Sequence, residues 1–344
     1  MKAKFFLIIT TAVAFLAASC MRPQKRKEQK SAFSDEIVIK TTPVKDQGHS
    51  PLCWEYAMLA TIESERLMMG DSVNLSPDYI ARLWLQDQAK DYFLTRGRHK
   101  ISLRGMASMT LTLINRYGLE PFDSYLPMSD VNYNVLGRTA QQLARGAASI
   151  RQLDDRLADI LDERIGYLPP SLFMYGMSYN PQQFAQSVYL PGDYEALTSF
   201  THHPFASRFV LESPDNQFSD TYYNVPIDSL MATIVSHLRR GHAVCWEGDI
   251  TESGFDFANG VAVLEDDNKH VTQEERQREF EHYSTTDDHC MELCGLAHDA
   301  YGNLFFLAKN SWGKGNRYHG FMYMSYNYVK LKTIAVIVKK LKRP

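Results

Sequence analysis

The segment Gln47-Gly48-His49-Ser50-Pro51-Leu52-Cys53-Trp54 opens a long helical pattern with a cysteine near its head. Suitable partners stand 236 residues beyond Cys53, at His289 in Asp288-His289-Cys290-Met291, and then at Asn310 in Lys309-Asn310-Ser311-Trp312-Gly313. A thiol nucleophile, an imidazole base, an orienting amide and the Gln47 amide as oxyanion donor make a complete thiol acyl-transfer site. The cysteine falls in a helix-rich first half, the histidine and asparagine in a strand-rich last third. A fold that joins them must pack a helical lobe against a sheet lobe and leave the site between the two.

Local signals outline both lobes. Ser50 is a good N-cap and Pro51 suits a first helical position; Trp54, Ala57, Met58, Thr61 and Met68 then keep helical spacing to a stop at Gly70. Asn74-Leu75-Ser76-Pro77 starts a second helix running through Leu85, and Met106 to Arg116 makes a third that stops near Gly118. Ala140 to Arg164 reads as one well-charged helix, after which Pro169-Pro170, Pro181, Pro191, Pro204 and Pro214 interrupt the chain. Ile227 to Arg239 is a further helix. Strands are expected at Glu36–Lys40, Ala243–Trp246, Met291–Ala297, Leu304–Lys309, Phe321–Ser325 and Ile334–Lys339, with Asp299-Ala300-Tyr301-Gly302-Asn303 as a turn. The pattern predicts an α+β fold over residues 36–338. Its helical lobe covers about 45–225, including an insertion at about 125–225, and its strand-rich lobe about 226–338.

Composition narrows the class. The 344 residues are 44% hydrophobic and 22% charged, enough for a sizeable core. Lys2 and Lys4 precede an apolar run from Phe5 to Ala18, too short to span a bilayer comfortably. The run ends in Leu16-Ala17-Ala18-Ser19-Cys20, which resembles a bacterial lipoprotein signal with Cys20 as the lipidated residue; Ala17 stands where leucine is commoner. An ordinary secretory signal cut nearby is the alternative. Cleavage leaves a chain with a net charge of about −5. Residues 21–35 read as a polar tether and residues 339–344 as a basic tail. Both basic ends read as solvated, with lipid headgroups a minor alternative, and nothing points to nucleic acid. The expected address is exported and membrane-anchored. With Cys20 and Cys53 assigned, Cys245, Cys290 and Cys294 remain, an odd number that argues against a disulfide framework. Cys290 and Cys294 sit among apolar neighbours and read as small buried hydrophobes, so no metal or other cofactor is implied.

Cys53 in a first helical turn meets free N–H groups and the positive end of the dipole, which favour a thiolate. A neighbouring His289 imidazolium adds to this, and the same ring can protonate a leaving amine. His242, His298 and His319 compete for the role; His298 follows a strand and falls at a turn. Asn310 closes a strand, where its oxygen can hold the imidazole tautomer beneath Trp312. Gln47 can donate an N–H to the oxyanion beside the backbone N–H of Cys53. Each residue also has a structural reading, as buried cysteine, core tryptophan, or turn and loop amide.

These residues resemble the papain-like cysteine peptidases: Gln-Gly-x4-Cys-Trp, a histidine two residues before methionine at a strand, and Asn-Ser-Trp-Gly occur here in that family's order. The long spacing points within it to the bleomycin hydrolase/aminopeptidase C branch. So do Tyr117-Gly118-Leu119-Glu120-Pro121, Tyr222-Tyr223-Asn224-Val225-Pro226-Ile227-Asp228, Trp246 with Asp249, and Ser199 to Asn216, which includes His202-His203-Pro204-Phe205. The resemblance implies the two-lobe papain fold, a helical lobe against an antiparallel barrel-like lobe, with a peptide substrate and catalysis by Cys53, His289, Asn310 and Gln47 with Trp312 as a shield. It places Arg104, Gly105 and Asp288 at the substrate, and it leaves a homo-oligomer open. Departures are Pro51 and Leu52 for small residues before the cysteine, Arg104 for a glycine, and Cys290 for the common alanine. The branch's C-terminal arm receives the substrate's amine, whereas Lys339 to Pro344 is short and basic here. Aminopeptidase action is the leading expectation. A catalytically impaired surface peptide-binding lipoprotein and amide chemistry on non-peptides are the alternatives.

Overall fold

A computed structural model describes residues 32–126, 131–174 and 176–341. The signal segment, Cys20 and most of the tether lie outside them. Strand β1 (Ser34–Val38) comes first, with Phe33 stacked on Tyr323 at 4.1 Å, so the folded body begins before the expected end of the tether. Helix α1 (Cys53–Met68) follows. It starts later than Ser50 because Ser50 N–H donates to Gln47 O at 3.1 Å, which makes residues 47–50 a turn that delivers the helix. Cys53 is therefore the first helical residue. Trp54, Ala57, Met58, Leu59, Thr61 and Ile62 are buried, Cys53 and Tyr56 are half-buried, and the last turn is exposed at Met68. A helix apolar on most faces belongs in the middle of a protein, and α1 packs on both α3 and the central sheet.

Helices α2 (Pro77–Leu94) and α3 (Ala107–Tyr117) complete the first layer. The single helix expected over Ala140–Arg164 is two, α4 (Tyr133–Gly146) and α5 (Ile150–Arg164). Ser149 divides them: its Oγ accepts from Gln152 N–H at 3.2 Å, while Gln152 Oε1 accepts from Ala148 N–H at 2.7 Å. Those reciprocal bonds favour a fresh N-terminus over helix continuation. A small hairpin, β2 (Leu172–Met174) and β3 (Met177–Tyr179), leads to α6 (Pro181–Val188).

The chain then enters the sheet earlier than expected. Strands β4 (Tyr194–Thr198), β5 (Arg208–Val210) and β6 (Thr221–Asn224) belong to it, although residues up to about 225 were expected with the helical lobe. Proline punctuation hides strands this short. Next come α7 (Ile227–Arg239), β7 (Val244–Gly248), β8 (Phe255–Asp256), β9 (Val261–Ala262) and α8 (Gln273–Glu281). The last elements are β10 (His289–His298), β11 (Leu304–Lys309), β12 (Phe321–Ser325), α9 (Tyr326–Lys332) and β13 (Thr333–Lys339).

The sheet order is β5-β6-β4-β13-β7-β10-β11-β12-β9-β8, with β1 also paired to β10. Pairing is antiparallel except at β4–β6 and β9–β12. Among the described residues β5 and β8 do not pair, so the barrel-like lobe is hydrogen-bonded as an open sheet. Two large apolar clusters flank it. One joins the helices around Leu59, Leu85 and Leu113; the other fills the space around Trp246, Phe306 and Val336.

A buried polar chain ties the lobes together below the site. Lys45 Nζ donates to Glu63 Oε1 at 2.5 Å and to Leu75 O at 2.9 Å, and Leu75 N–H donates to the same Glu63 oxygen at 2.6 Å. Thr42 Oγ1 donates to the other Glu63 oxygen and accepts from Lys309 Nζ at 2.9 Å. Lys309 in turn lies 3.6 Å from Glu292, its partner across β10 and β11. Buried charges require such pairing.

Candidate active site

The β10–β11 hairpin explains why residues 289 and 310 meet. Glu292 pairs with Lys309 in antiparallel register, so the start of β10 lies beside the end of β11. Asp299 stabilises the far turn, its Oδ1 accepting from Tyr301 and Asn303 N–H at 2.9 and 2.8 Å, and Gly302 takes a φ of +86° there. His289 Nε2 consequently hydrogen-bonds Asn310 Oδ1 at 2.8 Å, with the Trp312 ring centroid 4.7 Å away. Both His289 and Asn310 are buried. Asn310 Oδ1 also accepts from Ser311 N–H at 2.7 Å, which fixes the amide, and Trp312 packs edge-on against Phe257 at 5.1 Å.

Cys53 meets this pair at the head of α1. No side chain caps that end, so the first N–H groups remain free to meet negative charge. The Cys290 thiol and the His289 imidazole beside the Cys53 thiol hold its pKa well below the ordinary thiol value. The Cys290 thiol makes the largest contribution and the imidazole a smaller one, while burial acts in the opposite direction. Cys290 is thus a hydrogen-bonding group rather than the inert apolar filler its neighbours suggested. Its Sγ also lies 3.6 Å from Glu247 Oε1. Burial, followed by the contact with Cys53, pushes the Cys290 thiol well up.

Gln47 lies in the loop before α1 and is held by the segment after β11. Its N–H donates to Ser311 O at 2.8 Å, Ser311 Oγ donates to its Oε1 at 2.6 Å, and its Nε2 donates to Ser50 O at 2.8 Å. The second Nε2 hydrogen remains for a ligand in the cavity that Gln47 lines with Cys53 and His289. Ser311 was quoted only as part of a motif, yet it fixes which way the Gln47 amide points. Removing one oxyanion donor costs about 10²–10³-fold, so with Gln47 in the donor role expected from the sequence, loosening it through Ser311→Ala is expected to cost roughly tenfold in kcat/KM. Parallel thermal melts should barely move. Wild-type kcat/KM in Ser311→Ala, alongside a strong defect in Gln47→Ala, would assign the orientation of the amide to other contacts.

The cavity has a volume of about 180 Å³ and includes Arg104, Gly105, Asp287, Asp288 and Trp312 in its wall. Arg104 bridges the lobes: it pairs with Asp215 at 2.7 Å and donates to Asp287 O at 3.2 Å. Gly105 has a packing reason beside its place at the rim, because a Cβ there would stand 2.9 Å from the Trp54 ring. Asp288 accepts from Thr286 and Thr251 hydroxyls at 2.9 and 3.0 Å. Two carboxyls that sequence reading did not single out lie beside Cys290. Burial pushes Glu247 up to about 7, and burial with Glu247 and Asp215 nearby pushes Asp287 well up.

The competing histidines have other partners. His242 bonds Glu65 at 2.9 Å, and His298 bonds Glu36 at 2.9 Å from the opposite end of β10, about 30 Å along the strand. His319 occupies a turn with φ +56°.

The frame matches the crystal structure of PepW from Lactobacillus rhamnosis with a TM-score of 0.68 at 19% identity, covering 90% of this chain and 83% of that one. The fold is therefore of the papain-like type. A model of the Peptidase C1-like family matches residues 178–344, the part that carries His289 and Asn310. Two relatives extend across the N-terminal part as well. Mitochondrial cysteine proteinase 1 of Saccharomyces cerevisiae is 22% identical over 91% of this chain and 78% of its own length. Aminopeptidase G of Lactobacillus delbrueckii subsp. lactis is 28% identical over 90% of this chain and 83% of its own length. The family match, the two relatives and the shared frame together support a papain-like cysteine peptidase of the bleomycin hydrolase/aminopeptidase C branch.

Proposed function

We propose that the protein is an aminopeptidase that uses Cys53 as nucleophile, His289 as acid and base, Asn310 as orienter and Gln47 as oxyanion donor. The observation that carries this is the chain of contacts from Asn310 through His289 to Cys53 at an uncapped helix start. The Cys53 thiolate attacks the peptide carbonyl, and the oxyanion lies between Gln47 Nε2 and the Cys53 N–H. His289 protonates the departing amine. It then takes a proton from water, which hydrolyses the thioester and frees Cys53. Trp312 keeps solvent off the His289–Asn310 bond. The name of the Lactobacillus delbrueckii relative supports removal of N-terminal residues over internal cutting.

Mass spectrometry of products from a peptide library tests both parts. Loss of single N-terminal residues, abolished in Cys53→Ala, is the expected result. Internal cuts would overturn the aminopeptidase assignment alone. Equal turnover by a folded Cys53→Ala would overturn the thiol mechanism.

The charged start, the apolar run and Cys20 support export with lipid on Cys20. Residues 1–31 lie outside the described structure, and no helix among the described residues is long and apolar enough to cross a membrane. Cys20→Ser is expected to release the protein from the membrane fraction or leave it uncleaved. Unchanged fractionation and processing would exclude lipidation.

A further inference from the structure

The cavity that holds Cys53 also has Arg104, Asp215, Asp287 and Asp288 in its wall. Residues 213–218 strap this wall to the helical lobe: Asp215 pairs with Arg104 at 2.7 Å, Gln217 Nε2 donates to Arg104 O, and the Phe218 ring packs edge-on against Trp84 at 5.1 Å. Of the three aspartates, two are fully engaged. Asp215 takes the Arg104 guanidinium on both oxygens, and Asp288 accepts a threonine hydroxyl on each. Asp287 accepts on one oxygen, from Ser213 Oγ at 3.2 Å, and among the described residues its carboxylate has no cationic partner. We propose that the Asp287 carboxylate, with Glu247 behind it, receives the protonated N-terminal amine of the substrate's first residue, a role that rests on the aminopeptidase reading and deepens it.

A positive charge is what this wall lacks. One carboxyl oxygen of Glu247, one of Asp287 and the Cys290 sulfur lie within 4.8 Å of one another. Glu247 is fully buried; its Oε1 accepts from Ala107 N–H, and its Oε2 has no hydrogen-bond partner. An orphaned buried carboxylate oxygen is costly and calls for a partner. Two acids this close disfavour each other's ionisation unless a cation joins them. Arg104 does not fill that place, because its guanidinium is forked onto Asp215 and reaches only the backbone oxygen of Asp287. A substrate ammonium on Asp287 supplies the missing charge and makes a charge-assisted hydrogen bond.

Reach ties this contact to the removal of single residues. In an N-terminal residue the α-nitrogen lies only about 2.5 Å from the carbonyl carbon that is attacked. The group that receives it must therefore share the cavity of the nucleophile, as Asp287 does. His289 and Trp312 flank the position where the amine departs, which leaves the Arg104, Asp215 and Asp287 wall for the acyl residue. Inside a longer peptide the same nitrogen is an uncharged amide, and it carries a further residue toward the strap of residues 213–218. Asp287 thus favours an ammonium over an amide by charge, and the strap disfavours the longer chain by bulk.

The test compares hydrolysis of a leucyl-coumarin amide with that of its N-acetyl form, by wild type, Asp287→Asn and Asp287→Ala. Wild type should favour the free amine by roughly a hundredfold in kcat/KM, the size expected of a buried charge pair. Asp287→Asn keeps the side-chain shape and an acceptor for Ser213, and should lower the ratio of free-amine to acetylated turnover by about tenfold or more. A site that is merely damaged would slow both substrates together and leave the ratio standing, which would overturn the role of Asp287. Alkylation of Cys53 by iodoacetamide, which carries no amine, checks that each variant forms the site. Asp287→Ala takes the place of Asp287→Asn if the latter does not fold. A free-amine preference that survives in the folded variants would overturn the role of Asp287 and leave the aminopeptidase reading intact. Equal turnover of the two substrates by wild type would overturn the aminopeptidase reading and, with it, the role of Asp287.

Discussion

His289→Ala is expected to lose nearly all peptide turnover, by about 10⁴-fold or more, because in the proposed mechanism the ring both activates the thiol and protonates the leaving amine. Asn310→Ala should retain measurable activity, since the imidazole remains and only its orientation suffers. The defect should still be substantial, because Asn310 Oδ1 holds the Ser311 backbone as well as the ring. The pH profile of Cys53 alkylation separates this base from its competitors. The Cys53 thiol is held low first by Cys290 and then by His289. Removing the imidazole should therefore move the profile to higher pH, while leaving part of the depression in place. His298→Ala should leave it unmoved, given the length of β10 between the two residues. A shift in His298→Ala and none in His289→Ala would mean the base has been wrongly assigned.

Glu63→Ala is expected to produce the largest stability loss, about 3–5 kcal/mol, because it strands Lys45 in the interior. Glu63 accepts from Lys45, Thr42 and the Leu75 backbone, and is itself fully buried. Glu63→Gln should cost less, as the amide oxygen still accepts while the charge is lost. Urea unfolding measures both. A loss under about 1 kcal/mol in Glu63→Ala would show that water or a rearranged partner replaces the carboxylate. Lys309 belongs to the same chain of contacts and immediately precedes Asn310. Lower activity in Glu63→Ala, measured well below its melting temperature, would therefore indicate that this network also steadies the orienting amide.

Much of the candidate site was legible because its signals are local. The run from Gln47 to Trp54 announces a helix head, and the helix does begin at Cys53, though a turn of residues 47–50 replaces the cap expected at Ser50. The Asp299–Asn303 turn and its flanking strands form the hairpin that carries His289 and Asn310. Errors arose where two local signals compete or are very short. Ser149 starts a new helix within a continuous charged pattern, and β4, β5 and β6 lie among prolines that read as irregular chain.

The sequence by itself determined the class of chemistry, the two-lobe α+β plan and the residues placed at its centre. Those follow from side-chain type, from helix and strand periods, and from capping, all of which act over a few residues. Only the tertiary structure decided the surroundings of those residues. Cys290 lies 43 residues from Glu247, and Glu247 lies 140 from the Ala107 amide that anchors it. Ser311 reaches Gln47 across 264 residues, and Gly105 owes its missing side chain partly to the Trp54 ring. Such contacts depend on strand register and lobe packing, which no short window of sequence encodes. Burial then sets the electrostatics: the same carboxyl that would ionise freely on the surface is held up at about 7 in Glu247.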